Sequence, residues 1–169
     1  LSGAGVGYFG LPDGNRSIVR QIGDINIGFV NYNEFYGDSK TEQTAVIAEV
    51  SKLKSQVSVV IVFAHWGAEY VGPDQAMKSL ARQFIDSGAD LVVGSHSHIA
   101  DPMEIYNGKR IYYSLGNFIF DQYFSEDVRR GLGVVLKIDQ KTKEISFEEK
   151  NFYLGPNGQT TLVEKNSEK

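Results

Sequence analysis

The sequence predicts an α/β fold in which mixed β-sheets are flanked by helices. Three observations carry that expectation. Residues 57–64 (VSVVIVFA) form a nearly unbroken β-branched run, and residues 90–94 (DLVVG) form a shorter one, as expected of strands covered on both faces of a parallel sheet. Between them Met77, Leu80, Ala81, Phe84 and Ile85 recur at helical spacing, so strand, helix and strand make one right-handed βαβ unit. Beyond residue 109 the pattern changes to strand-like runs with short polar turns, which adds an antiparallel region that finishes the sheet or builds a second one.

In chain order, residues 1–15 are rich in Gly with a Pro-Asp-Gly turn and read as loop. Residues 17–22 and 25–32 read as a hairpin closed by Gly23-Asp24. Ser39 and Glu42 have capping-box spacing, and Val46, Val50 and Leu53 predict a helix over residues 41–54. After the buried strand at 57–64 comes the loop HWGAEYVGPD, then the amphipathic helix, which Gly88 is placed to cap. Residues 110–115, 118–120, 131–139 and 144–154 read as strands, with Lys141-Thr142-Lys143 as a turn between the last two. From Glu164 the tail reads as solvated and frayed. No repeat or low-complexity linker divides the chain, so residues 1–169 read as a single domain or part of one.

A chain of 169 residues with 41% hydrophobic content can bury a sizeable core. Seventeen basic against twenty-one acidic residues give a net charge of −4, and no stripe of Lys or Arg exists for a phosphate backbone to follow, which argues against nucleic acid as a partner. Without cysteine there is neither disulfide nor thiolate, so any metal must be held by His, Asp, Glu or Asn. No apolar run reaches the roughly 18 residues that a membrane span needs. The chain starts with Leu rather than Met, and one expectation is that it is a piece of something longer.

All three histidines follow buried strands. His65 comes at the end of the first run, and His96 and His98 come just after the second, at the edge where open α/β sheets gather their ligands. In an extended segment the His-x-His spacing sends both imidazoles to one side. Neutral imidazole suits zinc, iron or manganese, and three on one rim gain by chelation. Taken singly, each histidine could equally be a satisfied polar residue at a strand end. Glu69 is a candidate ligand, partner of an imidazole N–H or general base, and equally a solvated loop carboxylate. Trp66 reads as packing beside the site. Asp101 and Glu104 are acidic candidates close after the histidine pair, and Asn117 either reaches the rim or closes a turn.

The stretches HWGAEY at 65–70, the helix over 75–88 and ADLVVGSHSHIADPMEIYNGKRIYYSLGNFIFDQ at 89–122, in that order, resemble the bacterial capsule synthesis family, the CapA-like proteins of poly-γ-glutamate biosynthesis. That family is similar in fold to the calcineurin-like metallophosphoesterases, so the resemblance implies the C-terminal part of an α/β/β/α sandwich. It passes metal-ligand roles to His65, His96 and His98 and implies metal-assisted hydrolysis with one or two divalent ions. The Asp-rich, Gly-Asp and Asn-His motifs of the superfamily's first half are not found upstream of His65. The expectation is therefore the C-terminal portion of a longer domain, inactive alone. Ser97 stands where the family usually has Pro and is expected to loosen the turn. The resemblance further implies an anionic polymer or small-molecule substrate, other capsule synthesis proteins as partners, and a place on the extracellular face of the cell envelope. The alternative is a non-catalytic polymer-binding or assembly subunit.

Overall fold

A computed structural model of the chain describes residues 2–11 and 14–163, so the tail expected from residue 164 lies outside the described residues. In chain order the elements are β1 (Ser17–Ile22), β2 (Ile25–Asn33), α1 (Ser39–Lys54), β3 (Val59–His65), α2 (Gln75–Asp86), β4 (Leu91–Ser95), β5 (Met103–Tyr106), β6 (Lys109–Tyr112), β7 (Arg130–Ile138), β8 (Ile145–Leu154) and β9 (Thr160–Val163). The first six strands form one mixed sheet in the order β1-β2-β3-β4-β6-β5. Its centre, β2 through β4 to β6, is parallel, while β1 and β5 pair antiparallel at the two edges. Strands β7, β8 and β9 make a second, antiparallel sheet.

The β-branched run of β3 is explained by what lies on its two faces. Val60, Val62 and Ala64 join Val46, Val50 and Leu53 of α1 and Met77, Leu80, Ala81 and Phe84 of α2 in one core. The alternate residues Val59 and Ile61 join a second core, against which Leu132, Val134 and Leu136 of β7 and Phe147 of β8 pack. A strand buried on both faces loses the usual apolar-polar alternation, which is why this segment is nearly all Val and Ile. Both helices therefore cover one face of the large sheet and the small sheet covers the other.

Several expectations are corrected. Helix α1 starts at Ser39, and its cap is Asp38, whose carboxylate accepts from the Thr41 N–H at 2.8 Å. Glu42 is buried and pairs with Arg16 instead of closing a capping box. Strand β2 is parallel to β3, so a second βαβ unit precedes the one read from sequence. Residues 118–120 form no strand. Phe118, Ile119 and Phe120 lie exposed on a loop. Residues 103–106, which are not among the expected strands, pair with β6 as the sheet's edge. The hairpin expectation holds: Gly23, with φ of 59°, sits in the turn where Ile22 faces Ile25.

Candidate metal centre

Four parallel strands end on the same edge of the large sheet, and the candidate residues stand there. His65 is the last residue of β3, opposite Ser95, the last of β4. His96 and His98 follow β4, Glu34 and Phe35 follow β2, and Asn117 lies on the loop after β6. The register of a parallel sheet puts successive strand ends side by side, so residues far apart in sequence converge here.

The His65 and His96 rings lie 4.6 Å apart between centroids, and the His96 and His98 rings 6.2 Å apart. The way they converge differs from the expectation. Residues 96–99 are not extended: His96 has φ of 105° and His98 φ of 62°, both in the left-handed region that side chains disfavour. A sharply bent backbone, rather than strand alternation, turns the two imidazoles to one rim. Ser97 helps to hold the bend. It is buried, and its hydroxyl donates to the Ile99 carbonyl at 3.1 Å and lies 3.4 Å from Asp101 Oδ2, so it ties the turn rather than loosening it.

Each imidazole has its own support. Phe35 packs on His96 at 4.5 Å and on His65 at 5.8 Å between ring centroids. Tyr70, itself at φ of 62°, stacks on His98 at 5.8 Å, and Phe120 packs on the same ring at 4.8 Å. Asn117, buried, meets His98 Nδ1 through its side-chain oxygen at 2.8 Å. Glu34 braces the other side, accepting from the Gly67 N–H at 2.6 Å while its own N–H donates to the His65 carbonyl at 3.0 Å. Loss of water around the ring, with His96 and His98 close by, holds the His65 imidazole below its ordinary value. It therefore stays neutral, with a lone pair to offer, to lower pH than a free histidine.

The remaining candidates separate. Glu69 is exposed at the rim, with Oε1 4.0 Å from His98 Nε2. Asp101 is buried beside Ser97, and burial pushes its carboxyl up against the opposing effect of the Ser97 hydroxyl. Glu104 does not join the histidines. It accepts from Arg82 Nε at 2.8 Å and from the Tyr113 hydroxyl at 2.6 Å, which fastens β5 to α2 and to the residue that follows β6. Trp66 is core: it is 1% exposed, stacks on Phe84, and donates Nε1–H to the Tyr113 carbonyl at 2.9 Å. Glu34, Phe35 and Ser95 are at the site and were not singled out by sequence. A recess of about 490 Å³ between Ala100, Arg130 and β8 lies elsewhere and includes no histidine.

In kind, three imidazoles with a carboxylate and an amide nearby fit a divalent transition ion or zinc. Their spacing is looser than a closed site: among the described residues no three His, Asp or Glu side chains lie close enough together to hold one ion.

The sequence profile of the family described as bacterial capsule synthesis protein PGA_cap matches residues 1–122, from the N-terminal loop through Asn117 and Phe120. The chain belongs to that family. Over 131 residues this PGA_cap protein is 35% identical to the PGA biosynthesis protein CapA of Bacillus subtilis (strain 168), covering 70% of the chain and 34% of that relative. It thus spans about a third of the relative's length. Among solved structures, a novel phosphatase from Mycoplasma pneumoniae superposes with a TM-score of 0.58 at 12% identity, over 86% of this chain and 60% of the other. A putative 5′-nucleotidase from Staphylococcus aureus superposes with a TM-score of 0.54 at 14% identity, over 80% of this chain and 28% of the other. Likeness at such identities is one of fold, and it agrees with the metallophosphoesterase-like α/β architecture expected from sequence.

Proposed function

We propose that the chain carries the histidine side of a divalent-metal centre in a hydrolase-like domain that serves capsule or poly-γ-glutamate biosynthesis. The observation that supports this most is the gathering of all three histidines of the chain at one sheet edge, two of them on strained backbone. Strain of this kind, of order 1–3 kcal/mol per residue, persists where surrounding structure holds it, and it clusters at sites of function. Zinc, manganese or iron fits the donors. A divalent cation supplies Lewis acidity, polarising the bond to be cleaved and neutralising the charge that develops there. His65, His96 and His98 would supply nitrogen donors shared between two ions, since the three are spaced too widely to hold one. Glu69, exposed and close to His98, would take up or give the proton. Acidic ligands would come from a portion of the domain upstream of this chain, so these residues alone would be inactive.

The substrate in this reading is an anionic polymer or a small amide or phosphoester, handled together with other capsule synthesis proteins on the extracellular face of the cell envelope. No helix among the described residues is long and apolar enough to cross a membrane. Elemental analysis of the full-length protein is expected to find divalent metal that His96→Ala removes. Full-length protein purified and reconstituted without taking up metal would overturn the proposal.

The wide spacing of the potential ligands supports a second reading, a non-catalytic polymer-binding or assembly subunit that keeps the fold. Polymer production that survives both His65→Ala and His96→Ala in folded protein would decide for it.

A further inference from the structure

We propose that Asn117 and Ser95 are positioning residues that fix the tautomers of His98 and His65, so that both imidazoles keep an unprotonated Nε2. The inference rests on reading those histidines as metal ligands and adds two residues that act through them.

The case for Asn117 comes from the chemical difference between the two ends of an amide. Its Nδ2 lies 3.0 Å from the Val128 carbonyl and 3.2 Å from Gln122 Oε1. A carbonyl only accepts, so the amide nitrogen must be the group facing it. The side-chain oxygen, which also only accepts, is then the atom 2.8 Å from His98 Nδ1. His98 Nδ1 must carry the proton and donate. A neutral imidazole has one such proton, which leaves Nε2 with its lone pair, 4.0 Å from Glu69 Oε1. The ring is confined between Tyr70 and Phe120, which hold it in this orientation.

Ser95 reaches the same result with a hydroxyl. It has one hydrogen, which we assign to the Ala64 carbonyl because that oxygen can only accept and lies nearer, at 3.1 Å, than His65 Nδ1. The oxygen lies 3.3 Å from His65 Nδ1, and with its hydrogen committed it accepts there. His65 Nδ1 is therefore the protonated nitrogen and Nε2 the free one. The parallel register that sets Ala64 against Gly94 and His65 against Ser95 makes both contacts possible at once. Partners of this kind orient a ligating imidazole and raise its basicity, and their loss typically costs 10–100-fold in metal affinity.

The tautomers can be read without metal, from long-range proton–nitrogen correlations of the ¹⁵N-labelled, metal-free chain at about pH 8, above the ordinary histidine value of about 6.5. The expected spectrum shows Nδ1–H forms for both His98 and His65. Asn117→Leu is expected to release His98 alone and Ser95→Ala to release His65 alone. Asn117→Asp, in which one oxygen still accepts the bond while the other, protonated, replaces the amide as donor to the Val128 carbonyl, is expected to keep His98 as it is. In the full-length protein, zinc affinity should fall about 10–100-fold with Asn117→Leu or Ser95→Ala and far less with Asn117→Asp. An Nε2–H form at His98 in the unsubstituted protein, or tautomers unmoved by Asn117→Leu and Ser95→Ala, would overturn the inference. Should Asn117→Leu fail to fold, the unsubstituted and Asn117→Asp spectra decide. Nδ1–H forms in a full-length protein that takes up no zinc would support the tautomer assignment and overturn the metal reading, so the two failures are distinct.

Discussion

Asp90 shows how much one buried group can hold. Only 4% exposed at the start of β4, it accepts from Lys54 Nζ at 2.8 Å, from Lys109 Nζ at 2.7 Å and from the Val60 N–H at 3.0 Å. Burial alone would raise its carboxyl, but the two lysines and the amide outweigh burial and hold it below the usual range. A depressed folded value contributes stability that is fully present above the unfolded carboxylate value of about 3.9 and is lost as pH falls through the folded one. Asp90→Asn is therefore expected to cost about 1–3 kcal/mol in urea unfolding at neutral pH, with the gap to the unsubstituted protein closing below about pH 4. A gap that stays constant down to pH 3 would contradict this. Gly94 is fixed by space rather than by conformation: a Cβ there would meet the Tyr113 carbonyl at 1.9 Å and Trp66 Nε1 at 2.5 Å. Gly94→Ala should break the Trp66–Tyr113 bond and lower the melting temperature, at a cost of about 1–3 kcal/mol. The gathering of the histidines was legible because all three follow buried strands, and parallel strands end side by side. Glu34, Phe35 and Ser95 were not, since an acid, an aromatic or a serine after a strand carries no spacing signal, and only the register brings them to the site. Glu104 misled because closeness in sequence to His98 places it on an edge strand committed to Arg82.

Among the elements, α2 links the core to the site. Its N-cap Asp74 accepts from the Met77 N–H at 2.8 Å, and Asp74→Ala is expected to cost about 0.5–2 kcal/mol. Phe84 is fully buried, with its ring 6.3 Å from that of Trp66 and 5.5 Å from that of Tyr32. Phe84→Ala should cost about 3–5 kcal/mol, and the fluorescence of Trp66, the chain's one tryptophan, reports the unfolding directly. A loss under 1 kcal/mol would mean that α2 is not packed as described. Periodicity disclosed α2 and β3 because burial on a helix stripe or on two sheet faces forces a run of one chemistry. It failed at Phe118-Ile119-Phe120, where the same chemistry belongs to an exposed loop flanking His98, and at β5, whose partly exposed alternation is too short to register.

For the whole molecule, a mixed sheet with a parallel centre, covered by helices on one face and a second sheet on the other, gathers the ends of β2, β3, β4 and β6 into one rim, and that topology is what makes a site out of scattered residues. The family match ends at residue 122, and beyond it β7 and β8 pack against the large sheet through Leu132, Val134, Leu136 and Phe147. The antiparallel region was legible from the change of pattern after residue 109, which left open whether it finishes the large sheet or builds a second one; β6, paired antiparallel with β5, does the first and β7–β9 the second. The second parallel crossover was not, because β2 also pairs with β1 and its sequence satisfies a hairpin just as well. The central claim is that this rim binds a divalent cation through its histidines. Calorimetric titration of zinc into the full-length protein and its His65→Ala, His96→Ala and His98→Ala variants tests it most directly. Saturable binding that each substitution weakens at least about tenfold is expected, whereas no binding, or binding that all three substitutions leave unchanged, would contradict it.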